Sequence, residues 1–125
     1  MTLTNNIFQL SAPYNNPYQN DAHKALFVCS AGLLRSATCA TMYSKKGWNT
    51  RAAGSSSLAL VPVTANLLAW ADRVYFVNKE NHTETLKKFK STPWEDKVNN
   101  AIVLNIPDSY MYMDPYLQEI IEEQM

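Results

Sequence analysis

A chain of 125 residues with 46% hydrophobic positions can build one core and is too short for two. Its 11 Lys and Arg balance 11 Asp and Glu, so no net field gathers a nucleic-acid backbone, and no apolar run is long enough to span a bilayer. The start, MTLTNNIFQLSAPYNN, lacks the basic and apolar regions of a secretion signal, and two cysteines make no disulfide framework; both point to a reduced, cytoplasmic, single-domain protein.

Residues 1–23 differ in texture from the rest. Asn5, Asn6, Asn15, Asn16 and Asn20, with Pro13 and Pro17, argue against a helix or a central strand. Ile7, Phe8, Leu10, Tyr14 and Tyr18 supply anchors for an extended arm lying on the domain, with a disordered tail as the alternative.

From Lys24 to residue 125 the punctuation is regular. Ala25 to Val28 is a continuous apolar run, as expected of a strand buried on both faces. Ser36 to Lys46 reads as a helix, with Ala40 and Tyr43 toward the core and Gly47 as its stop. Thr50 to Ala53, closed by Gly54 and serines, reads as a second strand. Val63 to Ala71 reads as a helix with Leu67, Leu68 and Trp70 as its apolar face. Val74 to Val77 is a third buried strand, Lys79 to Lys90 a helix, and Ala101 to Ile106 the last strand. Asp114 and Pro115 open a final helix as N-cap and first-turn proline. Strands alternating with helices predict an α/β domain: a four-stranded parallel sheet flanked by helices.

In such sheets, ligands bind beyond the carboxyl ends of the strands. The first strand ends at Val28, and Cys29-Ser-Ala-Gly-Leu-Leu-Arg35-Ser36 follows directly into a helix. A loop of that length presents successive backbone N–H groups beside the positive end of a helix dipole, which makes an anion cradle. Its backbone members are Ser30, Ala31, Gly32, Leu33 and Leu34. The same donors stabilise a thiolate at Cys29. Arg35 supplies a bidentate fork for two oxygens of a phosphate-sized ligand, and Ser36 a hydroxyl for the thiolate. A nucleophile inside an oxyanion site suits phosphoryl transfer through a phosphocysteine.

Cys-x5-Arg alone is a weak signal; the strand before it, the helix after it and Gly32 within it strengthen the reading. Departure of an alkoxide or phenoxide also needs a proton donor at the end of a neighbouring strand. Asp108, just past Ile106, fits that place, first as general acid and then as general base toward water. Tyr110 and Tyr112 would wall the pocket and stack on an aromatic leaving group. Cys39, within a helix, reads as structural. His23 and His82 lack metal-ligand spacing, and no metal or cofactor is expected.

These motifs resemble the low-molecular-weight protein tyrosine phosphatases over residues 24–125, in the manner of a compact bacterial or phage branch. The likeness rests on Leu26-Phe-Val-Cys29, Arg35-Ser36, Ala53-Gly54-Ser55, Trp70-Ala-Asp-Arg-Val-Tyr-Phe-Val77 and Ile106-Pro-Asp-Ser-Tyr110. It implies Cys29 as nucleophile, Arg35 as phosphate binder, Ser36 as thiolate partner and Asp108 as acid. Its expected substrates are phosphorylated proteins or small aryl phosphates, with phosphate- or vanadate-like anions as inhibitors. Three positions depart from the family pattern: Gly32 for asparagine, Ala37 for proline and Leu34 for a second loop cysteine. A literal Asp-Pro-Tyr occurs at Asp114-Pro115-Tyr116, but spacing from the last strand favours Asp108.

Competing readings are a phosphocarrier of the sugar phosphotransferase IIB type and a non-catalytic phosphate-binding or interaction module. The first shares a cysteine after strand one but lacks the arginine and the strand-end aspartate. Arsenate reduction on a related fold requires further relay cysteines, which this chain lacks.

Overall fold

A five-residue stretch, Ala25 to Cys29, is buried throughout and alternates between two layers. Ala25, Phe27 and Cys29 pack into one cluster; Leu26 and Val28 pack into the other. This period of two on an all-apolar segment is what a central parallel strand requires. The computed structural model describes residues 23–32 and 34–125. The arm expected over residues 1–23 therefore lies outside the described residues except for His23, and so does Leu33.

The elements run β1 (Lys24–Cys29), α1 (Arg35–Ser44), β2 (Asn49–Gly54), α2 (Ala65–Trp70), β3 (Arg73–Phe76), α3 (Lys79–Phe89), α4 (Glu95–Asn99), β4 (Ile102–Val103) and α5 (Pro115–Gln124). The four strands form one parallel sheet in the order β2-β1-β3-β4. Helices α1 and α5 cover one face through residues such as Ala40, Tyr43, Leu117 and Ile121. Leu67, Leu68, Phe89 and Val98 cover the other face from α2, α3 and α4. The chain leaves β1 toward β2 and then returns past β1 to β3. That reversal opens a crevice at the carboxyl ends of β1 and β3, where open α/β sheets hold ligands.

Local chemistry explains most boundaries. Helix α1 ends in a Schellman pattern: Trp48 N–H donates to Tyr43 O at 3.0 Å and Gly47 N–H to Ser44 O at 3.1 Å. Gly47 takes φ +98°, and the Trp48 and Tyr43 rings meet at 4.8 Å. Thr64 caps α2 from outside, accepting from Leu67 N–H at 3.2 Å, which sets its start two residues after the expected Val63. Trp70, expected on the apolar face of that helix, is half-buried under the Arg51 guanidinium, 4.1 Å from its ring. Asp114 caps α5 through Tyr116 N–H at 2.9 Å, with Pro115 in its first turn.

Two elements depart from the sequence expectation. The last strand is two residues long, not Ala101 to Ile106, because it forms the sheet edge and exposes both side chains. The chain nevertheless stays alongside β3: Leu104 N–H donates to Phe76 O at 2.7 Å and Ile106 N–H to Val77 O at 2.9 Å. The short helix α4 was not anticipated; only Val98 of its five residues is buried. Among the described residues, no helix is long and apolar enough to cross a membrane.

Candidate active site

Cys29 closes β1 beside the crevice and is 3% exposed. Gly32 N–H donates to its Sγ at 3.1 Å, and the Ser36 hydroxyl lies 3.0 Å from the same sulfur. One of these groups comes from the loop and the other from the first turn of α1. That helix start is unusual among the described helices: Leu34 provides no side-chain cap, and the first turn holds no acid. Thr64, Asn78 and Asp114 cap three of the others, while Glu95 and Asp96 occupy the first turn of α4. The first turn of α1 thus has neither a side-chain cap nor an acid to meet the positive end of its dipole.

Backbone packing explains the loop's shape. Gly32 has φ +78°, and a Cβ there would lie 2.8 Å from Ala53 C and 2.9 Å from Gly54 N. It is required both for its conformation and for close approach to β2. The carbonyls of Cys29 and Ser30 accept from Ser55 N–H at 2.7 Å and Ser56 N–H at 3.1 Å. Two loop carbonyls are thereby committed to the turn after β2. Gly54 fits the same junction, since a Cβ on it would stand 2.6 Å from Ser30 O. Gly32→Ala is expected to cost about 2 kcal/mol or more, because strain and a backbone clash coincide. Urea unfolding with an unchanged slope checks it; an unchanged midpoint would show that the loop does not need this geometry.

Arg35 is 3% exposed at the head of α1. Its Nη1 donates to Ile106 O at 3.1 Å, which holds the guanidinium at the end of the extended segment beyond β4. Nε lies 3.6 Å from Asp108 Oδ1, and that carboxylate is 70% exposed. The sequence-predicted nucleophile, phosphate fork, thiolate partner and acid are therefore gathered around one crevice, from residues far apart in the chain.

Tyr110 and Tyr112 are half-buried against the cluster that contains Cys29. The Tyr112 hydroxyl bonds Thr41 Oγ1 at 2.8 Å, and Met113 N–H donates to Thr38 Oγ1 at 2.9 Å. These two bonds fasten the segment after Asp108 along α1. Cys39 sits in the core of α1, where burial pushes its thiol far up, and both cysteines are free. His82 Nε2 bonds Val98 O at 2.8 Å, and the His23 ring packs edge-on against Trp48. Among the described residues, no cluster of three His, Cys, Asp or Glu side chains is placed to hold a metal ion.

Sequence reasoning missed Asn81 and Glu84 and gave Ser55 no role beyond its motif; the three meet beside the loop. Asn81 Nδ2 donates to Ser30 Oγ at 3.0 Å and to Ser55 Oγ at 3.2 Å. The Ser55 hydroxyl donates to Glu84 Oε1 at 2.5 Å. A sequence signal that could have found Asn81 is Asn78 before the helix: as N-cap it accepts from Asn81 N–H at 3.0 Å and so places Asn81 in the first turn. No family model matches the chain, nor does any curated protein or solved structure.

Proposed function

We propose that this chain is a cytoplasmic, cysteine-dependent phosphatase of the low-molecular-weight protein tyrosine phosphatase type, hydrolysing aryl phosphates such as phosphotyrosine. One observation carries the reading: Gly32 N–H and the Ser36 hydroxyl converge on Cys29 Sγ at an uncapped helix start, beside a buried arginine. A structural cysteine needs neither the donors nor the arginine.

The chemistry balances with the groups at hand. Cys29 Sγ attacks phosphorus; an S–P bond forms as the bond to the leaving oxygen breaks. Arg35 and loop N–H groups stabilise the equatorial oxygens, and the carboxyl of Asp108 gives its proton to the departing oxygen. The Asp108 carboxylate then takes a proton from water as that oxygen attacks phosphorus. The S–P bond breaks, the thiolate returns stabilised by Ser36, and inorganic phosphate leaves. Neither step calls on a metal.

The first test is turnover of p-nitrophenyl phosphate in the presence of a chelator, with and without vanadate. Vanadate-sensitive release of nitrophenol supports the reading. Phosphate binding without turnover would assign the loop to a phosphocarrier or a binding module instead. The acid is tested by leaving group: Asp108→Ala is expected to slow phenyl phosphate by about a hundredfold or more. The same variant should slow dinitrophenyl phosphate by less than about tenfold, since that oxygen departs without a proton. Equal effects on both esters would place the acid elsewhere.

A further inference from the structure

Asn81 is 1% exposed on the first turn of α3 and has no part in the chemistry above. Its surroundings fix the direction of a chain of hydrogen bonds. A hydroxyl carries one hydrogen, and that of Ser55 goes to Glu84 Oε1. Ser55 can therefore only accept from Asn81, which settles which end of the amide faces the two serines. The other end, Oδ1, is buried with no hydrogen-bond partner. An orphaned acceptor is costly and persists here because the donor end is engaged twice.

The consequence falls on Ser30. Its oxygen accepts from Asn81 Nδ2 at 3.0 Å, so its own hydrogen is not spent on the amide. Ser30 is exposed, follows Cys29 directly, and has its carbonyl tied to Ser56 N–H at 3.1 Å. We infer that Asn81, held by Ser55 and Glu84, is a positioning residue that orients the Ser30 hydroxyl as a side-chain donor to the oxyanion in the Cys29–Arg35 loop. This rests on the phosphatase reading for the presence of a bound oxyanion, not for turnover. The loop then offers that anion a hydroxyl hydrogen in addition to its backbone donors, aimed by a relay that ends on Glu84.

The test is a double-mutant cycle read by calorimetric titration with orthovanadate on the full chain. Ser30→Ala is expected to weaken binding about tenfold, as is Asn81→Ala, each costing one hydrogen bond to a charged group. If Asn81 acts through Ser30, the double variant also loses about tenfold, not a hundredfold. Ser30→Thr, which keeps the hydroxyl, should stay within about twofold of the parent. Additive losses, or a Ser30→Ala variant with parental affinity, would overturn the inference.

If Asn81→Ala fails to fold, Asn81→Asp replaces it. A carboxylate only accepts, so it turns the Ser30 hydrogen inward, and its loss of affinity must shrink in the Ser30→Ala background. Turnover of p-nitrophenyl phosphate, measured alongside, separates the two claims. Binding with a non-additive cycle but no turnover keeps the relay and overturns hydrolysis. Turnover with an additive cycle does the reverse, and a parent that binds no vanadate overturns both.

Discussion

Exchange of Cys29 for serine is expected to lower p-nitrophenyl phosphate turnover by about 10^4-fold or more. The substitution changes one atom in a side chain that is 3% exposed, so the fold has little reason to respond. What changes is the nucleophile: a serine hydroxyl holds its proton far more tightly than a thiol does and is the weaker nucleophile. Gly32 N–H and Ser36 face the atom at that position, and two such contacts stabilise an alkoxide far too weakly to generate one. Phosphate affinity should stay within about tenfold of the parent, because Arg35 and the loop amides are untouched. Stopped assays with radiolabelled substrate can detect residual turnover. Activity above about 1% of the parent would rule out the phosphocysteine route.

The second large effect is expected at Arg35. Arg35→Ala should cost about 10^3-fold in kcat/KM, the scale of losing a fork of charge-assisted donors to a phosphoryl group. It should also cost about 2 kcal/mol of stability, since the Ile106 carbonyl loses its buried donor. Arg35→Lys separates charge from geometry. An ammonium retains the positive charge but cannot hold Ile106 O and grip two phosphate oxygens with a planar fork. It should recover much of the stability and little of the activity. Steady-state kinetics and urea unfolding of both variants decide the matter. An Arg35→Lys variant with near-parental kcat/KM would reduce this residue to a source of positive charge.

The legible parts of this chain are those whose causes are local. The run Ala25 to Val28 announces a doubly buried strand because it needs no alternation with polar residues. Gly47 announces the end of α1 because a left-handed residue is what a Schellman turn demands. Cys29, Arg35 and Ser36 were readable because their spacing fits a loop running into a helix. Asp108 required one further step, the end of the last strand, and the structure brings it to Arg35 at 3.6 Å.

The less legible parts have distant or weak causes. Helix α4 buries only Val98, so no apolar stripe marks it. Strand β4 was drawn too long because Leu104 and Ile106 remain buried beyond its end, held by bonds to the β3 side that the sequence does not display. Asn81 and Ser30 stand 51 positions apart, and neither residue type points to the other. The space that excludes a side chain at Gly32 belongs to the backbone of Ala53 and Gly54, which the glycine alone could not reveal.

The hydrogen bonds that hold the loop also bear on how the chain folds. The chemical groups of the cradle are contiguous, from Cys29 to Ser36, yet contacts that hold it span 51 positions at Asn81 and 71 at Ile106. Closing loops of that length is entropically slow, so such contacts assemble after local helices and turns. The nascent chain therefore carries Cys29, Arg35 and Ser36 long before it has Asp108 or the contacts that place them. A peptide of residues 29–36 would have the thiol, the arginine and the amides, and none of the order that makes them a receptor. On the proposed reading, oxyanion binding is a property of the finished topology, and a bound anion would stabilise only the folded state.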